Sequence, residues 1–230
     1  MEQGDHTDVP AAKQALRRHI RDARRAVPAD ERTRRDASIT AHLLRLLARD
    51  DQGDGGGTGP VAAFAGLPGE PGGPGLPEAL HRAGHEVWLP VVPGPSRPLT
   101  WLPYRGAAAM RRGAFGIAEP TTETGTTGTT ETSGHRSPIS SVDLSGRVTT
   151  LVIPALAVDR DGTRLGQGGG YYDRTLDILT DRGGPGRLVA LVDHAEFGVD
   201  VPRTPLDARV QTVVTDSGVF PTSADHRGHR

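Results

Sequence analysis

The sequence predicts a single-domain, three-layer α/β fold in which helices cover both faces of a mostly parallel sheet. The chain has 230 residues, which is the size of one ordinary α/β domain. From residue 61 onward, short apolar runs alternate with helical patterns, as in strand–helix–strand units. Several of these runs are continuously apolar rather than alternating, which is typical of strands covered on both faces.

An amphipathic helix is predicted at residues 10–27, which begin with Pro at a permitted first-turn position and contain no Gly. At about 100° per residue, one apolar stripe is formed by Ala12, Leu16, Ile20, Ala23 and Val27. Lys13, Arg17 and Arg24 border that stripe. These three side chains can therefore reach along the seam between the helix and the rest of the domain, whereas Arg18 is expected on the solvated face.

The sheet is predicted from six apolar runs, at residues 61–66, 86–92, 99–104, 149–156, 187–193 and 210–216. Helical patterns lie between them at 74–84 and about 170–182. A further helix at about 31–50 precedes the first strand, after which the segment 53–60 (GDGGGTGP) is expected to be a flexible loop. This alternation indicates a Rossmann-like sheet, in which ligands bind at the carboxyl ends of the strands.

The predicted domain covers residues 10–220. Residues 121–141 hold eight Thr together with Gly, Ser and Pro and show no hydrophobic period. We therefore expect a disordered, low-complexity insertion there. Residues 221–230 are expected to be a flexible tail.

The composition excludes several classes of function. The formal net charge is −1 and there is no Cys, so we expect no nucleic-acid partner, no disulfide scaffold, no thiol catalysis and no thiolate metal site. No apolar run approaches the roughly 18 residues that a membrane span needs. The expectation is a cytoplasmic protein with any metal bound by oxygen or imidazole. A monomer is the default expectation, which the composition does not address.

Lys13 is the only lysine: of 27 basic residues, the other 26 are Arg. A chain so rich in Arg is expected to keep Lys only where a compact ammonium fits and a planar guanidinium does not. Retention by chance is the alternative. The count favours a functional Lys13.

Residues 164–176, RLGQGGGYYDRTL, are predicted to form a phosphate-binding loop that leads into a helix. Glycines let backbone amides approach an anion closely, and the helix N-terminus adds the positive end of its dipole. The segment lacks the Gly-Lys-Ser/Thr of a Walker loop, and Tyr171 stands where the dinucleotide fingerprint has its last Gly. An ordinary loose loop is the alternative for the glycines alone.

Two acidic residues are candidate metal ligands. Asp173 lies in the first turn after the glycines, and Asp207 lies in the loop before the last strand. Two carboxylates at one sheet edge could hold Mg²⁺ against bound phosphates, because this ion prefers oxygen ligands. Alone, Asp173 would instead be a charge partner of the helix N-terminus.

Six motifs occur along the chain in a fixed order. They are Lys13-x-x-x-Arg17, Gly69-Glu70, LPVV at 89–92, GIAEP at 116–120, the glycine segment at 164–176 and Pro202-x-x-x-x-Asp207. No single early motif is specific, but their order together with the glycine segment is. On these motifs the chain resembles, over most of its length, the 5-formyltetrahydrofolate cyclo-ligase family, also called methenyltetrahydrofolate synthetases.

The resemblance implies an ATP- and Mg²⁺-dependent ligase that closes the formyl group of 5-formyltetrahydrofolate onto N10. The implied products are 5,10-methenyltetrahydrofolate, ADP and phosphate, formed through a phosphorylated imidate. Little covalent work would fall to the protein, which must align the reactants and neutralise the phosphate charges.

The resemblance also implies roles for individual residues. Catalysis would depend on Lys13, Arg17 and Arg164. ATP would contact these three together with Gly166, Gln167, Gly168, Gly169, Gly170, Tyr171, Tyr172 and Asp173. The reduced folate would contact Glu70, Glu119, Gly168, Gly169, Gly170, Tyr171 and Tyr172. Mg²⁺ would be held by Asp173 and Asp207.

Two alternatives remain open. The chain departs from the family pattern at Val158, Gln167 and Leu206, and a non-catalytic ATP- or folate-binding regulator of the same fold would explain such changes. The other is a related ATP-dependent ligase that acts on a different small formyl or amide substrate.

Overall fold

The computed structural model describes residues 8–50, 59–122, 137–180, 186–204 and 207–224. The α-helices are α1 (Val9–Ala26), α2 (Ala29–Asp50), α3 (Leu76–Arg82), α4 (Ser141–Ser145) and α5 (Tyr171–Thr180). The strands are β1 (Val61–Ala62), β2 (Val87–Val91), β3 (Thr100–Pro103), β4 (Met110–Arg112), β5 (Ala118–Pro120), β6 (Ile139–Ser140), β7 (Thr150–Pro154), β8 (Ala157–Val158), β9 (Arg164–Leu165), β10 (Arg187–Leu191), β11 (Thr212–Thr215) and β12 (Gly218–Pro221). Three short 3₁₀ helices lie at Ala107–Ala109, Ala114–Gly116 and His194–Glu196.

The main sheet has eight strands in the order β12-β11-β10-β7-β1-β2-β3-β6. Its five central strands, β11 to β2, run parallel to one another. The pairings of β12, β3 and β6 with their neighbours are antiparallel and form the two edges. The predicted mostly parallel sheet is therefore confirmed, and each of the six predicted runs contains one of its strands.

Helices cover both faces of this sheet, as predicted. Along β7, Leu151 and Ile153 are fully buried on the side of α4 and α5. Val152, between them, is fully buried on the opposite side with α2 and α3. Because successive strand residues point to opposite faces, a continuously apolar strand requires a helical layer on each side.

Helix α1 packs on the β8–β9 hairpin rather than on the main sheet. Ile20 from the predicted apolar stripe contacts a small core cluster formed by Leu156, Ala157, Leu165 and Val201. Arg24 borders the stripe as predicted and is buried, with two 2.7 Å contacts to the Glu196 carboxylate and a 2.8 Å bond to the carbonyl of Ala155. This ion pair fixes α1 against the loop that follows β10.

The structure corrects two boundaries: the end of the predicted insertion and the start of the predicted tail. Ser141 is buried and begins α4, so residues 137–141 belong to the ordered domain. Pro221 ends β12, and the buried Thr222 hydroxyl donates to the carbonyl of Val210. These residues lack a recognisable apolar period, but their pairing with distant strands orders them. Residues 123–136 and 225–230, and most of the predicted 53–60 loop, lie outside the described residues.

Sequence patterns missed the short elements. Strands β4, β5, β8 and β9 have two or three residues each, which is too few for a period to be visible. Helix α4 carries a readable signal, since the Ser140 hydroxyl accepts a bond from the Asp143 amide and donates to the Asp143 carboxylate; serine is a preferred N-cap residue. Among the described helices, none combines the length and the apolar character needed to cross a bilayer.

Candidate active site

A cavity of about 400 Å³ opens at the carboxyl ends of the central strands. Its walls include Phe64 after β1, Val92 after β2 and Pro154 at the end of β7. The glycine loop and the start of α5 close another side. The cavity therefore lies where ligands bind in open α/β sheets.

The glycine loop takes a conformation that requires glycine at two positions. Gly168 and Gly170 have φ values of +102° and +66°, a region that other residues enter only with strain. The loop leads directly into α5, whose N-terminal residue is Tyr171. A chain of this kind brings free backbone amides and a helix N-terminus to one place, which favours an anion.

Three cations on one face of α1 reach the loops around the cavity. Lys13, Arg17 and Arg21 are spaced by four residues, so they lie on the same side of the helix. Lys13 Nζ lies 2.7 Å from both carboxylate oxygens of Asp207. Arg17 Nε donates to the carbonyl of Gly166 at 2.9 Å, and Arg21 donates to the carbonyl of Gln167 at 2.9 Å.

Each of the two predicted metal ligands is paired with a predicted catalytic cation. Asp207 pairs with Lys13 and also accepts the Thr204 amide at 2.6 Å. Partial burial raises the pKa of Asp207, but the bonds from Lys13 and Thr204 outweigh it and hold the pKa below its usual value. Asp173 contacts the buried guanidinium of Arg164, while its own side chain is 58% exposed.

Arg17 lies within the electrostatic field of all these groups. Burial lowers the pKa of Arg17 most, and the nearby Arg21 and Arg164 lower it further. Asp173 and Asp207 act in the opposite direction. The structure thus brings the predicted Lys13, Arg17, Arg164, Asp173 and Asp207 into one charged cluster beside the glycine loop.

Both predicted substrate carboxylates line the cavity. Glu70 accepts the Leu67 amide on one oxygen and the Gln167 side-chain amide on the other, each at 2.9 Å. Glu119 is buried, and one of its oxygens accepts the Val92 amide at 3.2 Å. Strand β5 carries Glu119 to this position, which no periodicity of the sequence could show.

Aromatic side chains form part of the cavity wall. Tyr171 and Tyr172, both predicted, line it together with Phe115, which sequence reasoning missed. Phe115 is 71% exposed, has a φ of +57° and lies edge-on to Tyr171 with ring centroids 6.0 Å apart. Its sequence signal was its place beside the GIAEP motif. Val158 is fully buried in the core and is not among the residues lining the cavity.

The hydroxyl of Tyr172 is unusual for a buried polar group. It is buried and has no hydrogen-bond partner in the described part of the chain. Burial raises the pKa of Tyr172, and the positive charge of Arg164 lowers it only in part. A buried hydroxyl in the wall of a cavity is a group that a bound molecule can satisfy.

The donor set suits a hard cation only together with an anionic ligand. Within the described residues, no three His, Asp or Glu side chains converge as a metal cluster. Asp173 and Asp207 supply carboxylate oxygens, and Mg²⁺ commonly takes one or two carboxylates with phosphates and waters. Asp173 and Asp207 therefore supply oxygens of the kind that Mg²⁺ takes together with phosphates.

Comparison with known proteins identifies the family of this chain. A model described as the 5-formyltetrahydrofolate cyclo-ligase family matches residues 9–216. A 5-formyltetrahydrofolate cyclo-ligase of Mycolicibacterium smegmatis is 31% identical over 142 residues, covering 60% of this chain and 63% of that relative. A cyclo-ligase of Haemophilus influenzae is 29% identical over 165 residues, covering 71% of this chain and 77% of that relative.

The fold also matches a solved structure. The NMR structure of Aquifex aeolicus 5,10-methenyltetrahydrofolate synthetase has a TM-score of 0.68 and 25% identity, and covers 95% of this chain and 99% of that one. The alignment with the M. smegmatis relative spans less than two thirds of that relative's length. The family model, in contrast, extends from α1 to the end of β11 and confirms the resemblance seen in the sequence. The chain belongs to the 5-formyltetrahydrofolate cyclo-ligase family.

Proposed function

We propose that this protein is an ATP-dependent cyclo-ligase that converts 5-formyltetrahydrofolate to 5,10-methenyltetrahydrofolate with release of ADP and phosphate. The observation that carries the proposal is the convergence of Lys13, Arg17 and the glycine loop beside a cavity whose lining includes Glu70 and Glu119. Cations and free amides suit a triphosphate, whereas carboxylates and aromatic rings suit a reduced pterin.

The triphosphate would lie along the glycine loop. Backbone amides of residues 166–172 would surround it, with Lys13 and Arg17 on its oxygens and Arg164 behind the start of α5. Binding gives Lys13 phosphate oxygens in place of its 2.7 Å contacts with Asp207, so the Asp207 carboxylate becomes available as a ligand. When bound, Mg²⁺ would neutralise charge on the phosphates, held by Asp173 and Asp207.

The folate would occupy the cavity next to the loop. The Glu70 carboxylate suits the adjacent N–H donors of a pterin, because two parallel hydrogen bonds match a carboxylate fork. Glu119 supplies a second buried acceptor. Phe115 and Tyr171 offer ring faces, and the unpartnered hydroxyl of Tyr172 offers a donor to a polar atom of the substrate.

The reaction needs alignment more than covalent catalysis. The formyl oxygen attacks the γ-phosphorus of ATP, and the bond from that phosphorus to the bridging oxygen of ADP breaks. N10 then adds to the activated formyl carbon and loses its proton. Phosphate leaves with the former formyl oxygen, which completes the methenyl bridge. Lys13, Arg17 and Arg164 would stabilise the charge that develops on the transferred phosphoryl group.

The test is an absorbance assay with purified protein, ATP, Mg²⁺ and 5-formyltetrahydrofolate. The expected result is growth of the methenyl absorbance with release of one ADP per product. ATP binding without product would support the non-catalytic alternative, and ADP release only with another formamide would support the alternative substrate. No absorbance change at high protein concentration rejects the proposal.

A paired variant tests the metal assignment. Asp173→Asn is expected to raise the Mg²⁺ concentration needed for half-maximal rate, because it removes one anionic ligand. Asp177→Asn, at an exposed position one turn further along α5, is the matched control and should leave that concentration unchanged. Equal Mg²⁺ dependence in all three proteins would contradict the role of Asp173.

A further inference from the structure

The loop that carries Glu70 has little regular structure of its own. In the connection from β1 to α3, residues 66–75 form two tight turns, in which the Glu70 amide donates to Leu67 O and the Gly73 amide donates to Glu70 O, each at 2.9 Å. Gly69, Gly72 and Gly73 have φ values of +92°, +86° and +62°. A loop with three such glycines has many accessible conformations, so a fixed position for Glu70 requires an anchor from outside the loop.

Gln167 gives one such anchor through its 2.9 Å bond to the Glu70 carboxylate, and Asp36 on α2 gives another. Its Oδ1 accepts the Gly72 amide at 3.1 Å. Its Oδ2 lies 2.8 Å from the point where a Cβ on Gly73 would stand. One carboxylate therefore contacts the two residues that close the second turn after Glu70, and a Cβ at position 73 would displace one of its oxygens.

Arg32, one turn earlier on α2, supports the same loop. Its guanidinium lies 3.4 Å from the position of a Cβ on Gly69. It also donates to the carbonyls of Arg24 and Val27 at 2.7 and 2.8 Å, at the end of α1. Helix α2 thus holds the Glu70 loop on one side and the end of α1 on the other.

The Asp36 carboxylate is half-buried among charged groups. Burial raises its pKa to about 6, against the opposing effect of the Gly72 amide. The charged groups that face it are Asp193, which raises the pKa further, and Arg32 and Arg24, which lower it. A neutral acceptor would hold the amide without placing a charge in this half-buried site.

We infer that Asp36 is a positioning residue for substrate binding, which fixes the Glu70 carboxylate at the cavity through the Gly72 amide and its contact with Gly73. This inference depends on the proposed function, in which Glu70 binds the pterin. Asp36 does not touch the nucleotide side of the site, where Lys13 and Arg17 lie. It should therefore affect the two substrates differently.

The experiment compares kinetic constants in four variants of the full chain. Asp36→Ala is expected to raise KM for 5-formyltetrahydrofolate about tenfold, as for loss of one hydrogen bond to a charged group, with kcat and KM for ATP unchanged. Asp36→Asn keeps an oxygen acceptor for the Gly72 amide and should restore the folate KM. Gly73→Ala disturbs the same contact from the loop side and should reproduce the effect of Asp36→Ala. Gly75→Ala is the control, because no atom lies within 4 Å of its Cβ position.

The outcomes separate the inference from the function on which it depends. Wild-type protein without turnover overturns the proposed function and the pterin role of Glu70 with it. Active wild type with an unchanged folate KM in both Asp36→Ala and Gly73→Ala overturns the role of Asp36. A fall in kcat without a change in folate KM does the same. If Asp36→Ala fails to fold, Gly73→Ala and Asp36→Asn still give the comparison.

Discussion

Replacing Lys13 by Met is the sharpest test of the charged cluster. Lys13 Nζ makes two 2.7 Å contacts with Asp207, and in the proposed mechanism these bonds pass to phosphate oxygens. Hydrogen bonds to charged groups contribute about 1.5–3 kcal/mol each, so the loss of two would lower kcat/KM by about 10²–10⁴-fold. Lys13→Arg keeps the charge but not its shape, and should also lose most of the rate.

Folding stability should change far less than activity. The side chains of Lys13 and Asp207 are 14% and 20% exposed, and Asp207 keeps its 2.6 Å bond from the Thr204 amide. The expected loss in free energy of unfolding for Lys13→Met is about 1–2 kcal/mol, between the values for exposed and for fully buried pairs. Urea denaturation and the methenyl absorbance assay measure the two quantities on the same sample.

The matched control is Arg18→Met, which removes one positive charge at an exposed position of α1. It should leave both stability and rate unchanged. A Lys13→Met protein that keeps its kcat/KM but loses several kcal/mol of stability would show that Lys13 is structural. That result would refute the functional role inferred for the single lysine, and with it the proposed contact between Lys13 and the nucleotide.

Three further predictions follow from local geometry. Gly113→Ala places a Cβ 2.2 Å from the Glu119 carboxyl carbon, so it should weaken folate binding in calorimetry, whereas Gly146→Ala meets no atom within 4 Å and should not. Arg24→Met leaves its buried carboxylate partner uncompensated and should lower the free energy of unfolding by about 3–5 kcal/mol in urea; an unchanged value would contradict the ion-pair argument. Asp36 has a pKa of about 6 in the folded protein, above the ordinary pKa of an Asp side chain. Between these two pKa values the folded protein binds more protons than the unfolded chain, so the contribution of Asp36 to stability falls as the pH rises through this window. Asp36→Asn should remove this fall and, after allowance for partial exposure, be about 1–2 kcal/mol more stable than wild type above the window and equal below it; parallel stability–pH curves would contradict it.

The sequence predicted the central sheet and its helices because those elements are long enough to show a period. The β7 run is apolar on both faces, and α1 has an apolar stripe bordered by cations. Both patterns reflect burial that the fold then provides. The β4–β5 hairpin has no such pattern: two of the three β4 residues are exposed, and the hairpin depends on pairing with its partner strand.

The sequence indicated which residues belong to the candidate site, but not which of them contact one another. Lys13 and Asp207 are 194 positions apart, and no local pattern relates residues at that separation. The glycine loop was readable because its chemistry is local, whereas Phe115 and Asp36 were not. Phe115 depends on a left-handed backbone position, and Asp36 acts on the amide of a residue 36 positions away.

Helix α1 explains why the site residues at opposite ends of the chain meet. Its apolar stripe docks Ile20 onto the β8–β9 hairpin, and β9 begins the glycine segment. When the apolar stripe packs on the hairpin, the residues spaced by four along one edge of the stripe face the loop that follows β9. Lys13, Arg17 and Arg21 are those residues, and each contacts a different point of the site. Packing of one apolar stripe therefore determines where three cations lie, so a substitution that shifts Ile20 should disturb nucleotide binding without touching the nucleotide.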